Sequence, residues 1–129
     1  MFEAQYLMTK STEGESVFSP WFPRQGDCIR ATLDVIQLSN ATLVVEVFTK
    51  NSEDTNDGDN ADSGGTPTSI TATGPGRSTQ EWSRTVATTI GLEELVRYKF
   101  TIKSEDGSLA WVLFRMVPPA WFDAVLPQP

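Results

Sequence analysis

Residues 41–50, ATLVVEVFTK, run directly into residues 51–65, NSEDTNDGDNADSGG, and this junction decides the fold. The first stretch is a β-strand pattern: Val45 and Val47 lie on one face and Val44, Glu46 and Phe48 on the other, so both faces are expected to be partly covered. The second holds almost no side chain that could be buried. A strand framework carrying a long acidic loop, spanning residues 51–68, is the expected architecture.

The same two-residue period recurs outward in both directions. Toward the N-terminus, Cys28 to Leu38 places Ile29, Ala31, Leu33 and Val35 opposite Arg30, Thr32 and Asp34, then breaks phase at Val35-Ile36 as a bulge would. Ser39-Asn40 reads as a hairpin turn into the next strand. Phe2 to Thr9 alternates Phe2, Ala4, Tyr6 and Met8 with Glu3 and Gln5, and a polar turn follows over Ser11 to Ser16. Toward the C-terminus, short strands are expected at Ser69 to Thr73 and Ser78 to Thr88. Val96, Tyr98, Phe100 and Ile102 give the cleanest alternation, and Asp106-Gly107 is a hairpin signal leading into Leu109 to Met116. Only Ile90 to Leu95 could form a helical turn. Seven or eight strands without a second helical candidate predict an all-β chain, one antiparallel sandwich of jelly-roll or immunoglobulin-like type, ending in an extended tail over residues 117–129.

Composition bounds the function. A chain of 129 residues supports one core, so a single domain is expected. Ten basic against seventeen acidic residues leave a formal charge of -7, which disfavours nucleic acid and anionic membrane as partners. The absence of histidine removes Ser-His-Asp and Cys-His catalysis, and a lone Cys28 forms no internal disulfide and suits packing. No basic start followed by an apolar run, and no apolar run long enough to span a bilayer, is present, so a product made in the cytoplasm, as a free protein or part of a particle, is expected. Asn40-Ala41-Thr42 matches a glycosylation sequon, which carries no weight without a secretion signal.

Three features could carry chemistry. In the acidic loop, Asp54, Asp57, Asp59 and Asp62, with Asn56 and Asn60, offer the hard oxygen donors that calcium prefers. The EF-hand spacing fails, because Gly58 stands where a ligand belongs and no Glu occupies the twelfth position. Glu46, Glu81, Glu93 and Glu94 could serve a two-carboxylate hydrolase, but outward carboxylates on strands ordinarily give solubility, and no enzyme is expected. The third feature is a pair of motifs, Pro20-Trp21-Phe22-Pro23 and Pro119-Ala120-Trp121-Phe122. Prolines keep both out of central strands, and the aromatics either close the sandwich as lids or pack on a neighbouring subunit.

Two functional readings follow. The first is a non-catalytic structural or assembly subunit of a larger particle, of virion or decoration type, whose partner is a copy of itself or another subunit, with Trp21, Phe22, Trp121 and Phe122 as interface residues and no cofactor. The second is a carbohydrate-binding sandwich with calcium in the acidic loop and tryptophans stacked on sugar rings. Trp82 and Trp111 fall inside strand patterns and are expected in the core.

Overall fold

The computed structural model describes residues 3–63, 66–67, 69–83 and 91–123. Twelve strands occur in it: β1 (Gln5–Thr9), β2 (Glu15–Phe18), β3 (Phe22–Pro23), β4 (Cys28–Ser39), β5 (Ala41–Lys50), β6 (Asp59–Asn60), β7 (Asp62–Ser63), β8 (Thr66–Pro67), β9 (Ile70–Ala72), β10 (Gly76–Ser83), β11 (Leu95–Ser104) and β12 (Ala110–Phe122). No helix occurs among the described residues, and the helical turn expected before Leu95 is absent from residues 91–94.

All strand pairs are antiparallel and fall into two main sheets, consistent with a β-sandwich. The first has the order β1-β12-β4-β10. In the second, β11 and β5 form the centre: β2 and β3 both pair with the free side of β11, and β6 and β9 both pair with the far side of β5. The small β7–β8 pair stands apart, so part of the stretch expected as an acidic loop is paired strand. The strands expected at Cys28 to Leu38, Thr42 to Lys50 and Val96 to Ile102 are present as β4, β5 and β11.

Both expected hairpins are instead crossings between sheets. β4 pairs with β10 and β12, whereas β5 pairs with β11 over the register Leu95↔Lys50 to Ser104↔Ala41. Asn40 makes the first corner with φ 56°, a left-handed conformation that Asn tolerates better than other non-glycine residues. The corner at Asp106-Gly107 sends β11 into β12 in the same way. Asn40 Nδ2 donates to Asp106 Oδ1 at 2.7 Å and to Ser108 Oγ at 3.0 Å, tying the two corners together. Asp106 also accepts from Ser108 Oγ and N, and these bonds from Ser108, with that from Asn40, hold its pKa down to about 2.

The alternation in β4 survives as buried Ile29, Ala31, Leu33 and Val35. The phase break is a bulge: Leu113 pairs with Gln37 and Phe114 with Val35, leaving Ile36 as the extra residue. A second register shift between Val117 and Ala120 accommodates Pro118 and Pro119, which have no N–H to offer a ladder. β12 therefore continues through Phe122, past the point where an extended tail was expected to begin; residues 124–129 lie outside the described residues. Between the sheets lie Trp82, Tyr98, Phe100 and Phe114, with the Phe100 and Phe114 rings 5.1 Å apart. Cys28 is buried as expected, and burial foremost, followed by Asp27, Glu81 and Asp123, raises its thiol pKa.

The expected face of β1 is reversed. Tyr6 and Met8 point to solvent, while Leu7 packs against the core and Thr9 is buried. The polar turn expected over Ser11 to Ser16 also ends early, because Glu15 already opens β2. Phe2, residues 84–88 of the strand expected to Thr88, and Ile90 lie outside the described residues.

Candidate functional site

Each Trp-Phe motif splits across the sheet, because neighbouring residues in extended chain point to opposite sides. Phe22, opposite Val96 in register, turns inward and packs on Tyr98 at 5.5 Å and on Trp121 at 6.3 Å. The two motifs, far apart in sequence, thus meet through Phe22 and Trp121, which pack against the core. The lid role suits these two. Trp21 and Phe122 face the other way. Phe122 is 37% exposed and lies 5.5 Å from the Arg30 guanidinium. Gly26 sits so close behind it that a Cβ there would meet Phe122 O at 3.1 Å.

Trp21 belongs to a cluster on the outer face of the second sheet. The Arg97 guanidinium lies 3.8 Å from the Phe18 ring centroid and 4.4 Å from that of Trp21, and Lys50 Nζ lies 4.9 Å from Trp21. Lys99 approaches Phe48 at 5.4 Å, and Phe18 meets Phe48 edge-on at 5.6 Å. The register explains the gathering: Arg97 pairs with Phe48 and Lys99 with Phe18, so these side chains share one face.

The segment after β5 folds over this cluster. Lys50 Nζ donates to Asn56 O at 3.2 Å and Arg97 Nη2 to Asp57 O at 3.0 Å, with the exposed Asp57 carboxylate farther off at 3.9 Å, so the closest partners of both cations are backbone carbonyls. Gly58 permits the closure. It has φ +84°, and a Cβ there would come within 2.8 Å of both Thr49 O and Trp21 Cη2.

The acidic residues are spread rather than convergent. Asp54 Oδ2 accepts from Asn51 N at 3.0 Å, the Asp57 side chain is 98% exposed, and Asp59 is exposed on β6. Asp62 lies in β7, its side chain outside the described residues. Among the described residues, no three His, Cys, Asp or Glu side chains come together in a group that could hold a metal ion. Of the carboxylates considered for catalysis, Glu46 accepts from Asn60 Nδ2, Glu81 pairs with Arg30 at 2.7 Å and Glu94 accepts from Ser52 Oγ at 3.1 Å. Burial, reinforced by Asp54, Asp59 and Glu94, raises the pKa of Glu93.

The feature that sequence reasoning missed is an apolar strip on the outer face of the first sheet. Register sets Tyr6 beside Leu113 and Met8 beside Trp111, and the Tyr6 and Trp111 rings stack at 5.8 Å with 26° between their planes. Tyr6 and Met8 are 54% and 53% exposed, and Ile36, the bulge residue next to the Gln37–Leu113 pair, is 48% exposed. Trp111 therefore stands outside the core, against expectation, while Trp82 is fully buried as expected. Farther along the same face the surface is charged and paired, Arg30 with Glu81 and Asp34 with Arg77 and Arg115. The signal was present in LAWVLFRM, residues 109–116, where apolar residues occupy both parities of the strand and one set must face outward. No family model, curated protein or solved structure matches the chain.

Proposed function

We propose that this chain is a non-catalytic assembly subunit, a small jelly-roll sandwich that packs with copies of itself or with another subunit of a larger particle of virion structural or decoration type. The observation that carries this reading is the outward apolar strip of exposed Tyr6, Met8 and Ile36 with half-buried Trp111 and Leu113 between them. Contiguous apolar patches of more than a few hundred Å² rimmed by polar residues are uncommon on soluble monomers and mark interaction surfaces, and the strip is read as such a surface. Its Trp and Tyr are the residue types that dominate interface energetics.

The strand order supports the jelly-roll assignment over an immunoglobulin-like one. Successive long strands, β4 then β5 and β11 then β12, alternate between sheets instead of forming hairpins within one. Counting β2 with β3 and β6 with β9 as split edge strands leaves four positions in each sheet, the eight-strand layout of a double Greek key. Such folds occur in viral capsid and lectin domains alike, so the fold contributes analogy and the strip contributes the argument.

The second reading, a carbohydrate-binding sandwich with calcium in the acidic segment, is favoured by one observation: two aromatic rings, Tyr6 and Trp111, lie together on the outer face of the first sheet. The test is the pair of substitutions Ile36→Lys and Trp111→Lys, read by sedimentation velocity and by glycan binding with and without calcium. A lower assembled fraction with no glycan binding by the parent chain supports the subunit. An unchanged assembled fraction, or calcium-dependent glycan binding lost on substitution, overturns it.

A further inference from the structure

Among the described residues, the four edges of the two main sheets differ in how they meet solvent. β10 carries Arg77 and Glu81 and starts at Gly76, the β2–β3 edge is interrupted by Pro20 and Pro23, and β6 and β9 are fragments of two and three residues. These are the devices by which sheets avoid pairing with other chains: charge, proline and short length. β1 has none of them. Its sequence, QYLMT, holds no charge, glycine or proline, it pairs with β12 without a register shift, and no described strand pairs with its other side.

We infer that two copies of the chain join along β1, antiparallel about a twofold axis through Leu7, so that their four-stranded sheets become one continuous sheet. This rests on the assembly reading and specifies its first contact. Side-chain parity restricts the register, since directly opposed residues must share a face if both apolar strips are to lie on the same side. Centring on Leu7 opposes Leu7 to Leu7, Gln5 to Thr9, and Tyr6 to Met8 of the second copy. Each Tyr6 then gains a methionine sulfur against its ring, a favourable contact. The row Trp111–Met8 of one copy continues into Tyr6–Leu113 of the other, so the strip doubles and Tyr6 and Met8 of both copies become interior to it.

Charge points to the same place. Two copies at -7 each repel across most of their surfaces, but β1 is uncharged and is flanked by Glu3 at one end and Lys10 at the other. Neither makes an ion pair with a described residue. The antiparallel arrangement brings the Glu3 end of each copy to the Lys10 end of the other.

Two variants of the full chain test the contact. Leu7→Cys places two thiols directly opposite each other, with Cα atoms about 4.5–5.5 Å apart across the pair, within disulfide reach. Gln5→Cys, which faces Thr9 of the other copy, is the control, and Cys28 is buried and does not interfere. Under mild oxidation Leu7→Cys is expected to form a disulfide-linked dimer at least about tenfold faster than Gln5→Cys. Tyr6→Lys with Met8→Lys, both at exposed positions, is expected to keep the circular dichroism spectrum and weaken the dimer at least about tenfold, because apolar pairs become opposed like charges. Equal cross-linking by the two cysteine variants, or an unchanged dimer in the double lysine variant, overturns the inference while leaving assembly through another face in place. A parent chain that is monomeric at every concentration overturns the inference and self-assembly together, leaving only attachment to another subunit.

Discussion

Gly58 and Gly107 offer a matched pair for measuring how firmly the segment after β5 is seated on Trp21. Their φ angles are +84° and +83°, so alanine at either suffers the same left-handed penalty, about 1–2 kcal/mol. Their surroundings differ. An added Cβ at Gly107 meets nothing nearer than Thr12 Cγ2 at 3.8 Å, whereas at Gly58 it comes to 2.8 Å from Thr49 O and from Trp21 Cη2. Thr49 is on β5 with its hydroxyl bonded to Leu95 O at 2.9 Å, so its carbonyl has little room to yield. Trp21 must move, and its contacts with Arg97 and Lys50 go with it, each worth about 0.5–1 kcal/mol. Gly107→Ala is therefore expected to cost about 1–2 kcal/mol and Gly58→Ala about 2–4 kcal/mol. Equilibrium urea unfolding followed by far-ultraviolet circular dichroism gives both values by linear extrapolation. Equal losses in the two variants would refute the close seating of Gly58 over Trp21.

Further outcomes follow from the packing of Trp121 and from the corners. Trp121→Ala removes a ring that packs on Phe22 and the core and is expected to cost about 2–3 kcal/mol in the same urea experiment; truncation after Val117, which also removes the pairing of residues 120–122 with β4, is expected to cost more, and a folded truncated domain of unchanged stability would contradict the placement of β12. Asp106 has a folded-state pKa depressed from 3.8 to about 2, so its contribution is present above about pH 4 and is lost as pH falls toward 2. Between those limits the parent chain is expected to lose more stability than Asp106→Asn, and parallel acid titrations of the two proteins would count against the corner network.

The central strands were legible because each carries a two-residue period. In β4 it runs from Ile29 to Val35, where a break in phase showed the bulge at Ile36, in β11 from Val96 to Ile102, and in β5 through the buried residues from Ala41 to Thr49. Which sheet each strand joins was not legible: Asn40 and Asp106-Gly107 are turn signals whether the chain returns beside itself or crosses to the facing sheet. The face of β1 was misread for a physical reason. The rule that the more apolar parity faces inward fails when the neighbouring strand also presents an apolar outer face, as β12 does with Trp111 and Leu113. β2 and β3 escaped notice because they are short and divided by proline. The candidate site was legible only in part. The two aromatic motifs were singled out, but alternation split each into one inward and one outward ring, and the cations gathered round Trp21 come from β5 and β11, which no local pattern could join to residue 21.

The mass of the purified chain in solution, measured by light scattering across a wide concentration range with and without millimolar calcium, bears most directly on the assembly reading. A defined multiple of the 14.2 kDa chain, rising with concentration and indifferent to calcium, is expected. A mass of 14.2 kDa at every concentration would contradict self-assembly, and a monomer that becomes more compact with calcium would favour the carbohydrate-binding reading in its place.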